Sequence, residues 1–141
     1  MKYVCDAAPY TWFRIETQAE AALESKAMAH AVEKYFQRAH HEAVASYQPP
    51  KSAAVFEQNI GLKAHVARVM PVFATLRNNE GEALVTAMLP PVGCDEDDLQ
   101  PIIVGYENSD PYLNYEEAIE SVAKHYGLIL DREFCFPYAR R

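Results

Sequence analysis

The chain has 141 residues, half of them apolar and 11% aromatic, which suffices for one core and excludes a mostly disordered chain. Residues 1–141 read as a single domain. The formal net charge of −7 creates a field that repels phosphates, so nucleic acid is not an expected partner.

The segment from Lys2 to Glu16 is strand-like and interrupted at Pro9. Phe13 and Ile15 alternate with Arg14 and Glu16, as in a half-buried strand. Thr17 followed by Glu20 is a capping box: the hydroxyl accepts from the N3 amide and the carboxylate reaches back. No Gly or Pro appears until Pro49-Pro50, so one long helix is expected from about Gln18 to about Tyr47. At 1.5 Å per residue it would span roughly 45 Å. Counting about 100° per residue puts Ala21, Ser25, Met28, Val32, Phe36, Ala39 and Ala43 on an inward stripe. His30, Lys34, Gln37 and His41 fall on the solvent side.

A second helix is expected from about Ala53 to Val69, weakened at Gly61 by about 1 kcal/mol relative to Ala. Val72 to Leu89 reads as a β-hairpin turning at Asn78-Asn79-Glu80-Gly81. Pairing Arg77 with Glu82 sets Leu76 against Ala83, Ala74 against Val85 and Val72 against Ala87, all apolar on one face. A polar loop from Gly93 to Gln100 carries the acidic run Asp95-Glu96-Asp97-Asp98. Pro101 to Tyr106 signals a buried strand, and Asn114 with Glu117 opens a helix from Tyr115 to Tyr126 that stops at Gly127. Leu128 to Phe136 reads as a last strand. The expected fold class is α+β: an antiparallel sheet with a long N-terminal helix and further helices packed on one face.

No run approaches the roughly 20 apolar residues of a membrane span, and no leader precedes Lys2-Tyr3-Val4, so no membrane partner is expected. Cys5, Cys94 and Cys135 are odd in number and widely spaced, which points to free thiols in a cytoplasmic protein. Cys94 stands beside four acids that would raise its pKa, and Cys5 and Cys135 lie in apolar segments, so none reads as a nucleophile.

The five glycines never cluster into a phosphate-binding loop, and no cofactor is expected. His40 and His41 point about 100° apart, while His30 and His41 share a face about 16 Å apart along one helix. No metal is therefore expected. The acidic run lacks EF-hand spacing and reads as a solvated loop. His125 precedes a helix end, where a cation favours the dipole. Tyr106, Tyr112, Tyr115 and Tyr126 gather around one loop and helix, mainly as core residues.

The pieces Tyr10-Thr11-Trp12-Phe13-Arg14-Ile15-Glu16-Thr17, Ala31-Val32-Glu33-Lys34-Tyr35-Phe36 and Phe136-Pro137-Tyr138-Ala139-Arg140 resemble small uncharacterised bacterial proteins of a domain-of-unknown-function type. That resemblance implies no activity, ligand or site residue. Two functions are carried forward. The first is a non-enzymatic module that binds a protein partner or forms a homodimer through the long helix, on its stripe of Ala21, Met28, Phe36, Ala39 and Ala43. The second is a small enzyme or ligand-binding domain with a site at the sheet–helix junction. His65, Arg68 and Tyr106 are its candidate catalytic residues.

Overall fold

A computed structural model describes residues 1–92 and 100–137. Five strands form one antiparallel sheet in chain order: β1 (Lys2–Ala7), β2 (Tyr10–Arg14), β3 (Val72–Arg77), β4 (Ala83–Leu89) and β5 (Ile102–Val104). Four α-helices cover it: α1 (Gln18–Met28), α2 (Val32–Ala45), α3 (Val55–Val69) and α4 (Tyr112–Tyr126).

Alternation along the strands divides the core in two. Trp12, Val72, Ala74, Leu76, Val85, Ala87, Leu89 and Ile103 form one buried cluster with Ala118, Ile119 and Val122 of α4. The Trp12 indole donates to the Ala118 carbonyl at 2.7 Å, so its one polar atom is paired inside that apolar wall. Ile15 and Phe73 form a second cluster with Ala21 of α1, Val32, Phe36 and Ala43 of α2, and Met70. The helices therefore cover both faces, which corrects the one-face arrangement. A sheet that buries Phe73 on one side and Val72 on the other needs cover on each.

The long N-terminal helix is also corrected: it is two helices meeting at Ala29 to Ala31. The capping box at Thr17 forms as expected, and α1 ends where Ala29 turns left-handed at φ 52°. No Gly or Pro marks this turn, because tertiary bonds make it. Ser25 Oγ of α1 accepts the Glu33 amide of α2 at 2.8 Å, supplying the N-terminal cap that Ala31 lacks. The stripe does face inward: Ala21, Met28, Phe36 and Ala43 are buried inside the chain, and Ala39 packs half-buried against the same core. They offer no dimer surface.

Helix α3 runs unbroken through Gly61. A Cβ there would collide with the Tyr47 hydroxyl, so the glycine permits α2 and α3 to approach. The hairpin pairs Val72 with Leu89, Ala74 with Ala87 and Leu76 with Val85, two residues beyond the expected register. Asn78 Oδ1 accepts the amides of Glu80 and Glu82, widening the turn, and a bulge sets Arg77 opposite Ala83 instead of Glu82. A shift of two keeps every side chain on its face.

Helix α4 starts at Tyr112, where Asp110 Oδ1 accepts the Tyr112 amide, rather than at an Asn114 cap. The expected last strand is a 3-10 turn, Arg132–Phe134, followed by one parallel bridge from Phe136 to Ile102. No helix among the described residues is long and apolar enough to cross a membrane. Cys94 and the run Asp95 to Asp98 lie outside the described residues.

Candidate functional site

The face covered by α1 and α2 contains a chain of polar groups inside its apolar wall. Glu24 of α1 is fully buried. Its Oε1 accepts Arg77 Nη2 at 2.6 Å and its Oε2 accepts the Thr86 hydroxyl at 2.5 Å. Thr86 Oγ1 lies 2.8 Å from His30 Nε2, and His30 Nδ1 accepts the Val32 amide at 3.3 Å. An N–H aimed at Nδ1 assigns the ring proton to Nε2. The proton order is then fixed: His30 donates to Thr86, and Thr86 donates to Glu24. Burial pushes the His30 pKa below the ordinary histidine value, a shift that the nearby Glu24 carboxylate only partly opposes. A neutral imidazole is the form that this pattern requires.

Arg77 is held from three sides. It donates to Thr75 Oγ1 at 3.0 Å and the Gly81 carbonyl at 2.9 Å as well as to Glu24. A buried carboxylate is tolerated when its charge is paired and its lone pairs are filled. Here the charge is paired and each oxygen accepts one hydrogen bond, and the network ties α1, the α1–α2 joint, β3 and β4 together.

A cavity of about 300 Å³ opens beside His30 and Thr86. Its walls are Val32 of α2, Phe73 of β3, Met88 of β4, Ile102 and Val104 of β5, and Phe136. The remaining polar lining comes from Tyr35 and Asn108, and none of the described lining residues is charged. Asn108 closes the 3-10 turn Tyr106–Asn108, where Glu107 and Asn108 hold positive φ of 55° and 61°. The loop is braced by Gly105 N–H donating to the Ser109 carbonyl at 2.7 Å. A second concavity, of about 870 Å³, lies between α4 and residues 128–133. The pairs Arg132–Asp110 and Lys124–Glu120 occupy its rim.

The sequence-derived candidates do not converge. His65 and Arg68 meet on α3, with Arg68 Nη2 3.2 Å from His65 Nδ1, and His65 Nε2 lies 2.7 Å from Ser46 Oγ. Tyr106 is in neither a bond nor a ring contact with them; it stands exposed in its 3-10 turn. The Ser46–His65 pair also runs the wrong way for nucleophilic catalysis. Arg68 donates to Nδ1, which puts the ring proton on Nε2, facing Ser46. Ser46 in turn gives its own proton to the Ala43 carbonyl at 2.9 Å. A general base needs a free lone pair at that position.

His30, placed on the solvent side by the helical count, is half-buried and bonded inward. Lys34, Gln37 and His41 are exposed as expected. Cys5 and Cys135 are free thiols whose pKa values burial raises, so neither is an activated nucleophile. Among the described residues no group of three or more His, Cys, Asp or Glu is placed to hold a metal ion.

Glu24, Thr86 and Asn108 are not singled out in the sequence, and Arg77 is taken there only as the hairpin partner of Glu82. Glu24 did carry a signal, since it falls between Ala21, Ser25 and Met28 on the inward stripe. The partners of that carboxylate, more than 50 residues away, carried none. Against known proteins, the chain matches no family model, no curated protein and no solved structure.

Proposed function

We propose that this protein is a binding domain for a small, largely apolar, uncharged molecule held in the cavity at the sheet–helix junction. The observation that carries this reading is the cavity's lining: six large apolar side chains around a polar end, with no charged residue among the described lining. Pockets for small molecules combine this kind of apolar wall with a few fixed polar groups, at volumes from about 300 Å³ upward. An ionised ligand would find no counter-charge among the described lining residues, and burying a charge unpaired is costly. The Glu24 network holds the wall in place, so the cavity is formed before a ligand arrives. The net charge of −7 supports the absence of a nucleic-acid partner, and the thiols of Cys5 and Cys135 suit a reducing, cytoplasmic setting.

The test is calorimetric titration with benzylacetone, a neutral aromatic ketone of suitable size, against the wild type and Val104→Trp. Saturable binding that the cavity-filling variant abolishes supports the proposal. Equal heats from both proteins place the ligand elsewhere and defeat it.

Self-association is a second reading, favoured by α3. This helix buries none of its residues, and Phe56 and Ile60, one turn apart, are 65% and 60% exposed. A second copy covering this stripe would form a homodimer centred on α3 rather than on the expected long helix. Sedimentation equilibrium across a wide concentration range tests it. A constant mass of 15.9 kDa at high concentration rules the dimer out.

A further inference from the structure

We infer that Asn108 selects the ligand, and that the ligand class is an apolar, uncharged molecule bearing a carboxamide that pairs with the Asn108 side chain. This inference rests on the cavity being the binding site. It starts from which polar groups of the cavity are free. His30 has both ring nitrogens engaged, Nε2 with Thr86 and Nδ1 with the Val32 amide. Thr86 spends its proton on Glu24 and accepts from His30. The polar end near β4 is therefore satisfied without a ligand and has no N–H or O–H left to give.

Asn108 differs. Its backbone amide donates to the Gly105 carbonyl at 3.1 Å, but its side-chain carboxamide makes no hydrogen bond to the described residues. Asn108 is among the residues that line the cavity, and it is exposed, so solvent satisfies its carboxamide when the cavity is empty. Two consecutive non-glycine residues at positive φ are an uncommon, strained backbone arrangement. The brace from Gly105 N–H to the Ser109 carbonyl, and the close approach of Ser109 to Gly105, fix that conformation. Asn108 is thereby presented to the cavity by a turn that the rest of the fold pins down.

The chemistry follows from the group. A carboxamide offers two N–H donors and one carbonyl acceptor side by side. Its best complement is a second amide, which returns a donor and an acceptor in the same spacing. A carboxylate returns two acceptors and brings a charge to a lining with no cation among the described residues. A ketone returns one acceptor only. The Tyr35 hydroxyl is the other free polar group, a single donor and acceptor on a flexible reach, and it does not favour an amide over a ketone.

Three probes separate these cases: hydrocinnamamide, benzylacetone and hydrocinnamate share one aromatic tail and differ only in the head group. Each is titrated calorimetrically into the wild type, Asn108→Gly and Asn108→Asp. Glycine accepts the positive φ and removes the carboxamide, while aspartate keeps the shape and removes the donors. The expected wild-type result is the amide binding about five- to tenfold tighter than the ketone, the ratio that one or two net hydrogen bonds supply. Hydrocinnamate should bind weakest. In Asn108→Gly the amide's advantage should vanish, because neither head group then has a partner there; in Asn108→Asp, which accepts but cannot donate, the ketone should lose more affinity than the amide. Amide and ketone binding alike in the wild type, or an amide preference that survives in Asn108→Gly, would overturn the role of Asn108 and leave the cavity reading intact. If no probe binds any of the three proteins, both proposals fall.

Discussion

The two faces of the sheet are built from the same strands and do different work. On the α4 side Val72, Ala74, Leu76, Val85, Ala87 and Leu89 meet Ile119 and Val122, and the Trp12 indole nitrogen is paired across the layer with a backbone carbonyl. On the α1–α2 side the intervening positions of β3 and β4 are Phe73, Thr75, Thr86 and Met88, interleaved with Glu24, Arg77 and His30. One face is close-packed; the other includes a polar network and a cavity. Stability sits mainly in the first face, and a specific shape is held by the second. The polar face is less apolar, but its members fix the angle at which α1 and α2 meet the sheet.

That division can be broken from the close-packed side first. Trp12→Ala removes a fully buried ring and its bond to the Ala118 carbonyl, and should cost about 3–5 kcal/mol in chemical denaturation. If the variant stays folded in the cold, benzylacetone binding across the sheet should be unchanged. A loss of about 1 kcal/mol or less would mean that the α4 face is not the main source of stability.

On the polar side, Arg77→Met leaves Glu24 buried without its counter-charge and should cost about 3 kcal/mol. Pairing it with Glu24→Leu should cost less than the sum of the two single variants, because the second change removes the orphaned charge. Additive losses in that double-mutant cycle would show that the two residues are not coupled.

His30 gives a smaller, pH-dependent signature. Its folded-state pKa is depressed, chiefly by burial, so the unfolded chain binds a proton that the folded protein resists. The contribution is fully present above the unfolded value of about 6.5 and is lost as the pH falls from there toward the folded pKa. Wild-type stability should fall across that window, and His30→Gln should fall less steeply. Parallel pH profiles would show that the imidazole is not held neutral. The smallest effect is expected on α3: Phe56→Ser, at a site 65% exposed, should change monomer stability by about 0.5 kcal/mol at most. The same variant should dissociate any dimer formed through that helix.

Much of this fold is legible in the sequence, and the gaps have identifiable physics. The Thr17 capping box, the Gly127 stop, the hairpin faces and the inward residues of α1 and α2 follow from local chemistry and periodicity. The break at Ala29 does not, because a left-handed alanine is held there by Ser25, His30 and their distant partners rather than by its own preference. The hairpin register was misplaced by two because the Asn78 side chain builds a wider turn, a choice that leaves the apolar pattern unchanged. His65 and Arg68 stood out as residue types, but the candidate site depends on His30, Thr86 and Asn108. These come together only when β4, β5 and the α1–α2 joint are in place.

The central claim is that the ligand site is the apolar cavity on the α1–α2 face and not the charge-lined concavity beside α4. Chemical-shift mapping of the isotope-labelled protein during a benzylacetone titration tests this most directly, since it reports both faces in one experiment. The account predicts saturable shifts at Phe73, Met88 and Val104, with Ile119 and Val122 beyond the sheet left in place. Shifts of equal size on both faces, or none at Val104 at saturation, would contradict it.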